Sequence, residues 1–300
     1  MIIGNWSCVV ETELVQQIKQ RKEYLKELGV EYKVNPRLSV IVTSFNQKQN
    51  INLLYSSLRE NPDVHEIIIC EDGSVDGSLE EWDKLLNHPN DFILRSNDLH
   101  EIRSTDRAIS MGRGEICCII QDDDKPRHPT WTAEALEEFD RDEKLGVLGG
   151  MCGWTDFFNS GVCCTEDFHR PSLDDGKKFS YVEHVNVGPF FIRKKFFEEV
   201  GGWDFEISKP GEMGMGFDHE ICYRMWEHGF HVGHYYPFNF TNNDKSGSTY
   251  TQAGGEEARN ELGKRQMKFV KELIVAKYTK EKIQEIGACV NNLNLELRGE

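Results

Sequence analysis

Apolar residues first recur at helical spacing over residues 9–29. Leu14, Ile18, Leu25 and Leu28 fall on one face there, and Gly29 stands where a helix would end. From residue 38 the pattern changes to short apolar runs separated by amphipathic stretches. Residues 38–46 read as a strand. The helix that follows puts Ile51, Leu54 and Leu58 on one face and stops at Asn61-Pro62. Residues 64–70 form a second strand and 71–78 a turn. Ser78 and Glu81 have the spacing of a capping box, opening a helix that buries Leu79, Trp82 and Leu86. A short strand over 92–94, a helix over about 100–112 and an apolar run over 116–121 complete the series. Strands alternating with helices in this way predict a parallel, doubly wound sheet.

The second half is less regular. Residues 145–152 read as a strand, and 153–180 as a loop-rich stretch. Residues 187–193 read as a strand that leads into a short helix ending at Val200. Five glycines between 201 and 216 predict a long, mobile loop. A helix over 218–228 turns Ile221, Cys222 and Met225 inward and is capped by Gly229, and 230–236 alternate as a strand. Residues 255–277 form an amphipathic helix with Leu262, Phe269, Leu273 and Ala276 on its apolar side, and the tail beyond Glu281 a second, peripheral helix. The expected division is a helical extension over 1–36, a main domain over 37–250 and C-terminal helices over 251–300.

Composition narrows the partners. The 300 residues carry a formal charge of −16, which repels nucleic acid and anionic lipid. The first six residues lack a basic region followed by an apolar core, so no secretory leader is expected, and no apolar run reaches membrane-spanning length. The nine cysteines include two adjacent pairs, Cys117-Cys118 and Cys163-Cys164, and no Cys-x-x-Cys. That usage predicts reduced thiols in a cytoplasmic protein. Zinc at Cys163, Cys164 and His169 is disfavoured by the spacing.

Four acidic sites stand at element ends. The run from Gly114 to Gln121 empties into Asp122-Asp123-Asp124. Adjacent carboxylates repel unless a cation lies among them, and Mg²⁺ or Mn²⁺ takes one or two carboxylates together with substrate phosphates. The alternative is a solvated acidic turn closed by Lys125-Pro126. Glu71-Asp72 follows the second strand, where an acid accepts hydrogen bonds from a ribose hydroxyl or a base N–H; a plain Asp-Gly turn needs no ligand. Trp203, beside Asp204, offers a ring face to a sugar or a base if the loop is open, and otherwise holds the loop to the core. Asp218 opens a helix, where capping alone is worth about 1 kcal/mol. Glu220 and Arg224 lie four apart and predict a surface ion pair.

In order and spacing, these pieces resemble an inverting, nucleotide-sugar-dependent glycosyltransferase of the GT-A fold, family 2 type. Ser39 to Asn46 resembles the opening strand and Ile69 to Ser78 the second-strand turn. Gly114 to Asp124 resembles the lead-in to the Asp-x-Asp metal motif. Gly188 to Arg193, Val200 to Asp204 and Gly216 to Arg224 resemble the acceptor strand, loop and catalytic helix. The resemblance implies a Rossmann-like nucleotide-binding sheet over about 37–126 joined to an acceptor half over about 127–250. It implies Thr43, Phe45, Glu71, Asp72, Asp122 and Asp123 around the donor nucleotide. Mn²⁺ or Mg²⁺ would sit on Asp122, Asp124 and His234, with Asn239 and Thr241 also near the place of the last ligand. Gly188, Trp203 and Asp204 would meet the acceptor, and Asp218 would serve as general base.

The chain departs from that pattern at Thr105-Asp106, where an Arg-Asn pair is usual, at Gln121, where an acid often leads the metal motif, and at Phe217, which replaces an acid. The implied chemistry is physical: a metal offsets the leaving diphosphate's charge, and a base on the opposite face of the anomeric carbon takes the acceptor's proton. The implied donor is a uridine diphosphate sugar and the acceptor a hydroxyl of a glycan or other molecule. Two alternatives stand beside this. A nucleotidyltransferase or pyrophosphorylase would want a Gly-rich, basic loop where Ser44-Phe45-Asn46-Gln47 stands. A non-catalytic sugar-nucleotide-binding protein would turn Asp218 away from the metal.

Overall fold

A computed structural model describes residues 36–97, 100–126, 130–150, 152–158, 161–164, 179–208, 214–235, 240–242 and 256–299, and positions 16, 20, 23, 24 and 26–29 before them. The chain divides into two units, Met1–Pro36 and Arg37–Glu300. In the first, the described positions 16 to 27 are helical and Gly29 turns out of the helix at φ 71. The remainder of the expected 9–29 helix lies outside the described residues.

The second unit begins with β1 (Leu38–Ser44), α1 (Lys48–Arg59), β2 (Val64–Glu71), α2 (Ser78–Leu85), β3 (Phe92–Arg95), α3 (His100–Met111) and β4 (Ile116–Gln121). It continues with β5 (Asp124–Pro126), α4 (Trp131–Arg141), β6 (Leu145–Gly149), β7 (Cys152–Asp156), β8 (Gly161–Cys164), β9 (Phe179–Tyr181), β10 (His184–Val185), β11 (Phe190–Arg193), α5 (Lys194–Glu199), α6 (Phe217–Glu227), β12 (His231–Tyr235), β13 (Phe240–Asn242) and α7 (Glu256–Arg298).

One sheet of eight strands organises it, in the order β3-β2-β1-β4-β11-β6-β12-β9. The first four strands are parallel, as their alternation with helices predicts. β11 runs antiparallel to both β4 and β6, and β12 returns parallel to β6. β1, β2 and β4 are covered on both faces, which is why their sequences are continuously apolar. One face packs Val40, Val42 and Ile69 against Ile51, Leu54, Leu58 and Trp82, and the other packs Ile41 and Ile68 with Ile102, Ile109, Ile221 and Met225.

A buried polar cluster locks the amino ends of the central strands. Glu66 is 1 % exposed and accepts hydrogen bonds from Ser39 Oγ (2.6 Å), Arg113 N–H (2.5 Å) and Arg113 Nε (3.0 Å). Ser39 Oγ in turn accepts Gly114 N–H at 2.7 Å. A Cβ on Gly114 would stand 2.5 Å from Ser39 N, so this approach admits only glycine. The cluster therefore ties β1, β2 and β4 together.

Several expectations are corrected. The stretch over 153–180 holds β7, β8 and β9, and β7 joins β10 and β8 in a separate three-stranded sheet. The strand expected over 145–152 breaks after Gly149, where a Cβ would lie 2.5 Å from Val185. Ser78 is not a helix cap. Gly77 occupies the N-cap of α2, and Asp76 accepts both the N–H and the hydroxyl of Ser78, at 2.9 and 2.5 Å. The two C-terminal helices run as α7 with a kink at Thr279 (φ 57, ψ 158). Its buried stripe is Val270, Ile274, Tyr278, Ile283, Ile286 and Val290, all within the main core, whereas Phe269 is 46 % exposed and Ala276 also points outward. At the last strand of the sheet, the Asn294 amide donates to Tyr181 O and accepts Tyr181 N–H, both at 2.8 Å. None of the described helices is long and apolar enough to cross a membrane.

Glu66→Ala leaves the buried Ser39 hydroxyl and the partly buried Arg113 N–H without their acceptor, and is expected to lower the free energy of urea unfolding by about 2–4 kcal/mol. A loss within the roughly 0.5 kcal/mol of an ordinary surface substitution would show that the cluster does not hold these strands.

Candidate active site

Register brings the donor-side residues together. Ser44 pairs with Glu71 across β1 and β2, and Thr43 with Gln121 across β1 and β4. The next residues on each strand, Phe45, Asp72 and Asp122, therefore stand side by side at the carboxyl end of the sheet. This is where the chain switches from β2 on one side of β1 to β4 on the other, the crevice in which open α/β sheets hold ligands. Backbone bonds extend the pairing past the strands, Asp72 N–H to Ser44 O and Asp122 N–H to Thr43 O, each 3.0 Å. Thr43, Phe45 and Asp72 are half-buried at this end of the sheet. Glu71 does not face it freely: its buried carboxylate accepts Gly73 N–H (3.2 Å) and Ser74 N–H (2.6 Å) and so holds the turn.

The acidic triplet is buried, so the solvated-turn alternative falls. Asp122 Oδ2 accepts Phe45 N–H at 2.7 Å, and Asp124 Oδ2 accepts Gln121 N–H at 2.8 Å. Asp124 Oδ1 is buried without a hydrogen-bond partner. Burial, with the negative charge of Asp123 beside them, pushes both carboxyls well above the usual carboxylate range. β13 pairs antiparallel with β5, which sets the backbone of Asn242 against Asp124 and that of Thr241 against Lys125.

Glu101, in the first turn of α3, was not singled out from the sequence. Its Oε1 is buried without a partner. Burial pushes its pKa up to about 8, helped by the charges of Asp218, Asp123 and Asp72 and opposed by a hydrogen bond from Gln121. Glu101 is thus the point where the triplet and Asp218 meet electrostatically. An acid in the first turn of a helix is too common to draw notice in a sequence.

Asp218 is not the N-cap of α6. Gly216 holds that place at φ 92, with Phe217 and Asp218 as the first two helical residues. Asp218 Oδ2 accepts Val187 N–H and Oδ1 accepts His219 N–H, each at 3.0 Å. Val187 precedes Gly188, so Gly188 follows directly on the residue that Asp218 holds.

Other expected residues fall elsewhere. Trp203 is 3 % exposed and packs against Phe190, Phe197 and Phe217, so it anchors its loop in the core and presents no open ring face. The Asp204 carboxylate bonds Lys277 and Glu206 N–H. His234 pairs with Gly149, Gly149 with Phe190 and Phe190 with Ile119. Two strands therefore separate it from β4, about 14 Å across the sheet, which removes it as a ligand beside the triplet. Glu220 is fully buried instead of forming a surface pair. Asn239, His169, the side chains of Cys163 and Cys164, and residues 209–213 of the glycine-rich loop lie outside what is described.

A ring cluster next to Asp218 was also missed, because its members sit in and around the unassigned 153–180 stretch. Trp154 stacks on His184 (4.9 Å, 6° between planes) and lies 5.0 Å from His219, and the two imidazoles are 4.4 Å apart. His219 Nε2 is 4.0 Å from Asp218 Oδ1. Burial holds both histidines below their usual range, keeping them neutral. His184 Nδ1 is 3.1 Å from Tyr223 Oη, which donates to Glu183 Oε2 at 2.8 Å.

No three His, Cys, Asp or Glu side chains among the described residues converge as a complete metal site. Two buried carboxylates with one unsatisfied oxygen do fit an ion that takes its remaining oxygens from a phosphorylated ligand and water.

A parallel β3-β2-β1-β4 sheet with acids at its switch point, continued by a mixed half, is an α/β architecture of the GT-A type. The model of glycosyl transferase family 2 matches residues 39–201, more than half of the chain, and the protein belongs to that family. It is a glycosyltransferase, which sets aside the nucleotidyltransferase and non-catalytic alternatives. Its fold is similar to that of the mannosyltransferase PcManGT from Pyrobaculum calidifontis, solved in complex with GDP-Man and Mn²⁺ (TM-score 0.55, 14 % identity, covering 86 % of this chain and 74 % of that one). It is also similar to S. aureus TarS 1-349 in complex with UDP-GlcNAc (0.51, 15 %, 77 % and 71 %). A third similar structure is GalNAc-T7 with UDP, GalNAc and Mn²⁺ (0.51, 15 %, 66 % and 41 %). At these identities the likeness is one of fold. No protein of curated function is matched by the sequence.

Burial raises the Glu183 pKa from 4.5 to about 7. The folded chain thus binds this proton more tightly than the unfolded chain. Its contribution is complete below about pH 4.5 and is lost as pH rises through 7. Urea unfolding at pH 5 and pH 8 should show wild type losing about 2.5 kcal/mol more than Glu183→Gln over that interval. Equal losses in the two proteins would contradict the assignment.

Proposed function

We propose that the protein transfers a sugar from a nucleoside diphosphate sugar, specifically a uridine diphosphate sugar, to an acceptor hydroxyl, inverting the anomeric carbon, with Asp218 as general base. The observation that carries this is the meeting of two acidic groups from separate parts of the chain. The Asp122–Asp124 triplet follows β4, Asp218 stands in the first turn of α6, and the charges of Asp123 and Asp218 both act on Glu101, with one oxygen of Glu101 and one of Asp124 buried without a hydrogen-bond partner.

Residues 37–126 form the donor half in this reading. Asp72 accepts from the nucleoside, while Thr43 and Phe45 shape its crevice. Asp122 and Asp124 would hold a divalent ion, Mn²⁺ or Mg²⁺; its chemistry there is to offset charge on the leaving diphosphate as a Lewis acid. The unsatisfied Asp124 oxygen supports this, as does the presence of Mn²⁺ in two of the similar structures. Residues 127–250 form the acceptor half. Asp218 is aimed by Val187 and His219 N–H groups and by the positive end of α6. It takes the acceptor's proton as the hydroxyl attacks the face opposite the leaving group. The acceptor is a glycan or another hydroxyl-bearing molecule, and the net charge of −16 disfavours nucleic acid.

Two measurements test this. Calorimetry with UDP should give Mn²⁺-dependent binding in wild type and lose that dependence in Asp124→Asn; identical binding with Mn²⁺ and with chelator would defeat the metal assignment. Release of UDP from a panel of UDP-sugars, with an acceptor mixture, should fall about 10²–10⁴-fold in Asp218→Asn while UDP binding is kept. Retained turnover would reduce Asp218 to a structural residue of the first helical turn.

A further inference from the structure

We propose that α7 acts as a clamp on the catalytic helix, with Tyr278 and Lys277 as positioning residues that hold Asp218 through Glu220; this rests on the reading of Asp218 as the base. The family match ends at residue 201, so neither α6 nor α7 is part of it.

α7 grips the chain on both sides of Asp218. Before it, Met215 N–H donates to Gln266 Oε1 at 3.3 Å, and a Cβ on Gly216 would stand 3.0 Å from Val270. After it, Glu220 is fully buried. Its Oε1 accepts Tyr278 Oη at 2.8 Å and lies 3.5 Å from Lys277 Nζ, and its Oε2 accepts Arg224 Nη2 at 2.5 Å. Lys277 also pairs with Asp204, and Arg224 Nη1 donates to Val200 O at 3.1 Å, so the same network secures the start of the 201–216 loop. Tyr278 is itself 5 % exposed, with its ring 6.0 Å from that of Tyr223 on α6.

A buried carboxylate is tolerated only while its donors stay in place. Glu220 has three, and two come from α7. Removing the Tyr278 hydroxyl leaves Oε1 with one long contact, and the first turn of α6 must shift or open to water to satisfy it. Asp218 lies on that turn. A base displaced by an ångström costs rate without weakening donor binding, because the donor sits on β1, β2 and β4.

The test uses the full chain and three variants: Tyr278→Phe, Glu220→Gln and both together, with Phe269→Ala on the exposed side of α7 as control. Hydrogen exchange should quicken about tenfold over 216–222 in Tyr278→Phe, with the β1 and β4 peptides unchanged. Turnover of a UDP-sugar should fall about tenfold or more in kcat, with KM for the donor and Mn²⁺-dependent UDP binding within about twofold. In the Glu220→Gln background, Tyr278→Phe should add little, since it acts through Glu220. Unchanged exchange, unchanged kcat, or fully additive effects would each overturn the proposal. A lower unfolding midpoint with kcat intact would also overturn it, as that is the signature of stability alone. If wild type turned over no nucleotide sugar, the proposed function would fail, and the exchange measurement alone would still decide whether α7 holds the turn.

Discussion

The arrangement depends on keeping carboxyl groups out of water at one end of the sheet. Asp122, Asp124 and Glu101 form no ion pair among the described residues, and burial raises all three carboxyls. Such groups are held against their own solvation by the scaffold around them. The scaffold here is held by hydrogen bonds and close backbone approach: strands β1, β2 and β4 are fixed in register at their opposite ends by the Glu66 cluster, and the same register delivers the acids to one place. The Glu66 cluster fastens the amino ends of these strands, and the acids stand at their carboxyl ends.

The first half was legible because its elements are local. Each strand is followed by a helix of clear period, and consecutive elements pack as neighbours, so the parallel order and the meeting of Thr43, Asp72 and Asp122 follow from the pattern. The second half resisted for physical reasons. β7, β8 and β9 are too short to show a period, and the His184–His219 contact joins a two-residue strand paired with β7 to the first turn of α6. Glu220 and Arg224 have the same spacing whether exposed or buried, and what buries them lies 58 residues further along the chain. The inner stripe of α7 begins at Gly263 and Gln266, so apolar character alone pointed to Phe269, the neighbour of buried Val270, and to Ala276, midway between buried Ile274 and Tyr278.

Trp203 shows how one residue type serves two opposite expectations. Beside glycines and an acid it looks like a platform for a ring, but Phe190, Phe197 and Phe217 close around it. Its burial ties the glycine-rich loop to the base of α6, since Phe217 directly precedes Asp218. The loop therefore leaves the core from a fixed point, whatever path residues 209–213 take.

The amide of Asn294 has a consequence of another kind. β9 is the last strand of the sheet, and its outward N–H and C=O at Tyr181 would otherwise offer a template for a strand from a second molecule. A single side chain answers both groups, as a neighbouring strand would, but cannot propagate the ladder. The sheet is in this sense terminated instead of merely ending. The helix that closes this edge is the one that grips Glu220, so α7 both terminates the sheet at β9 and braces α6.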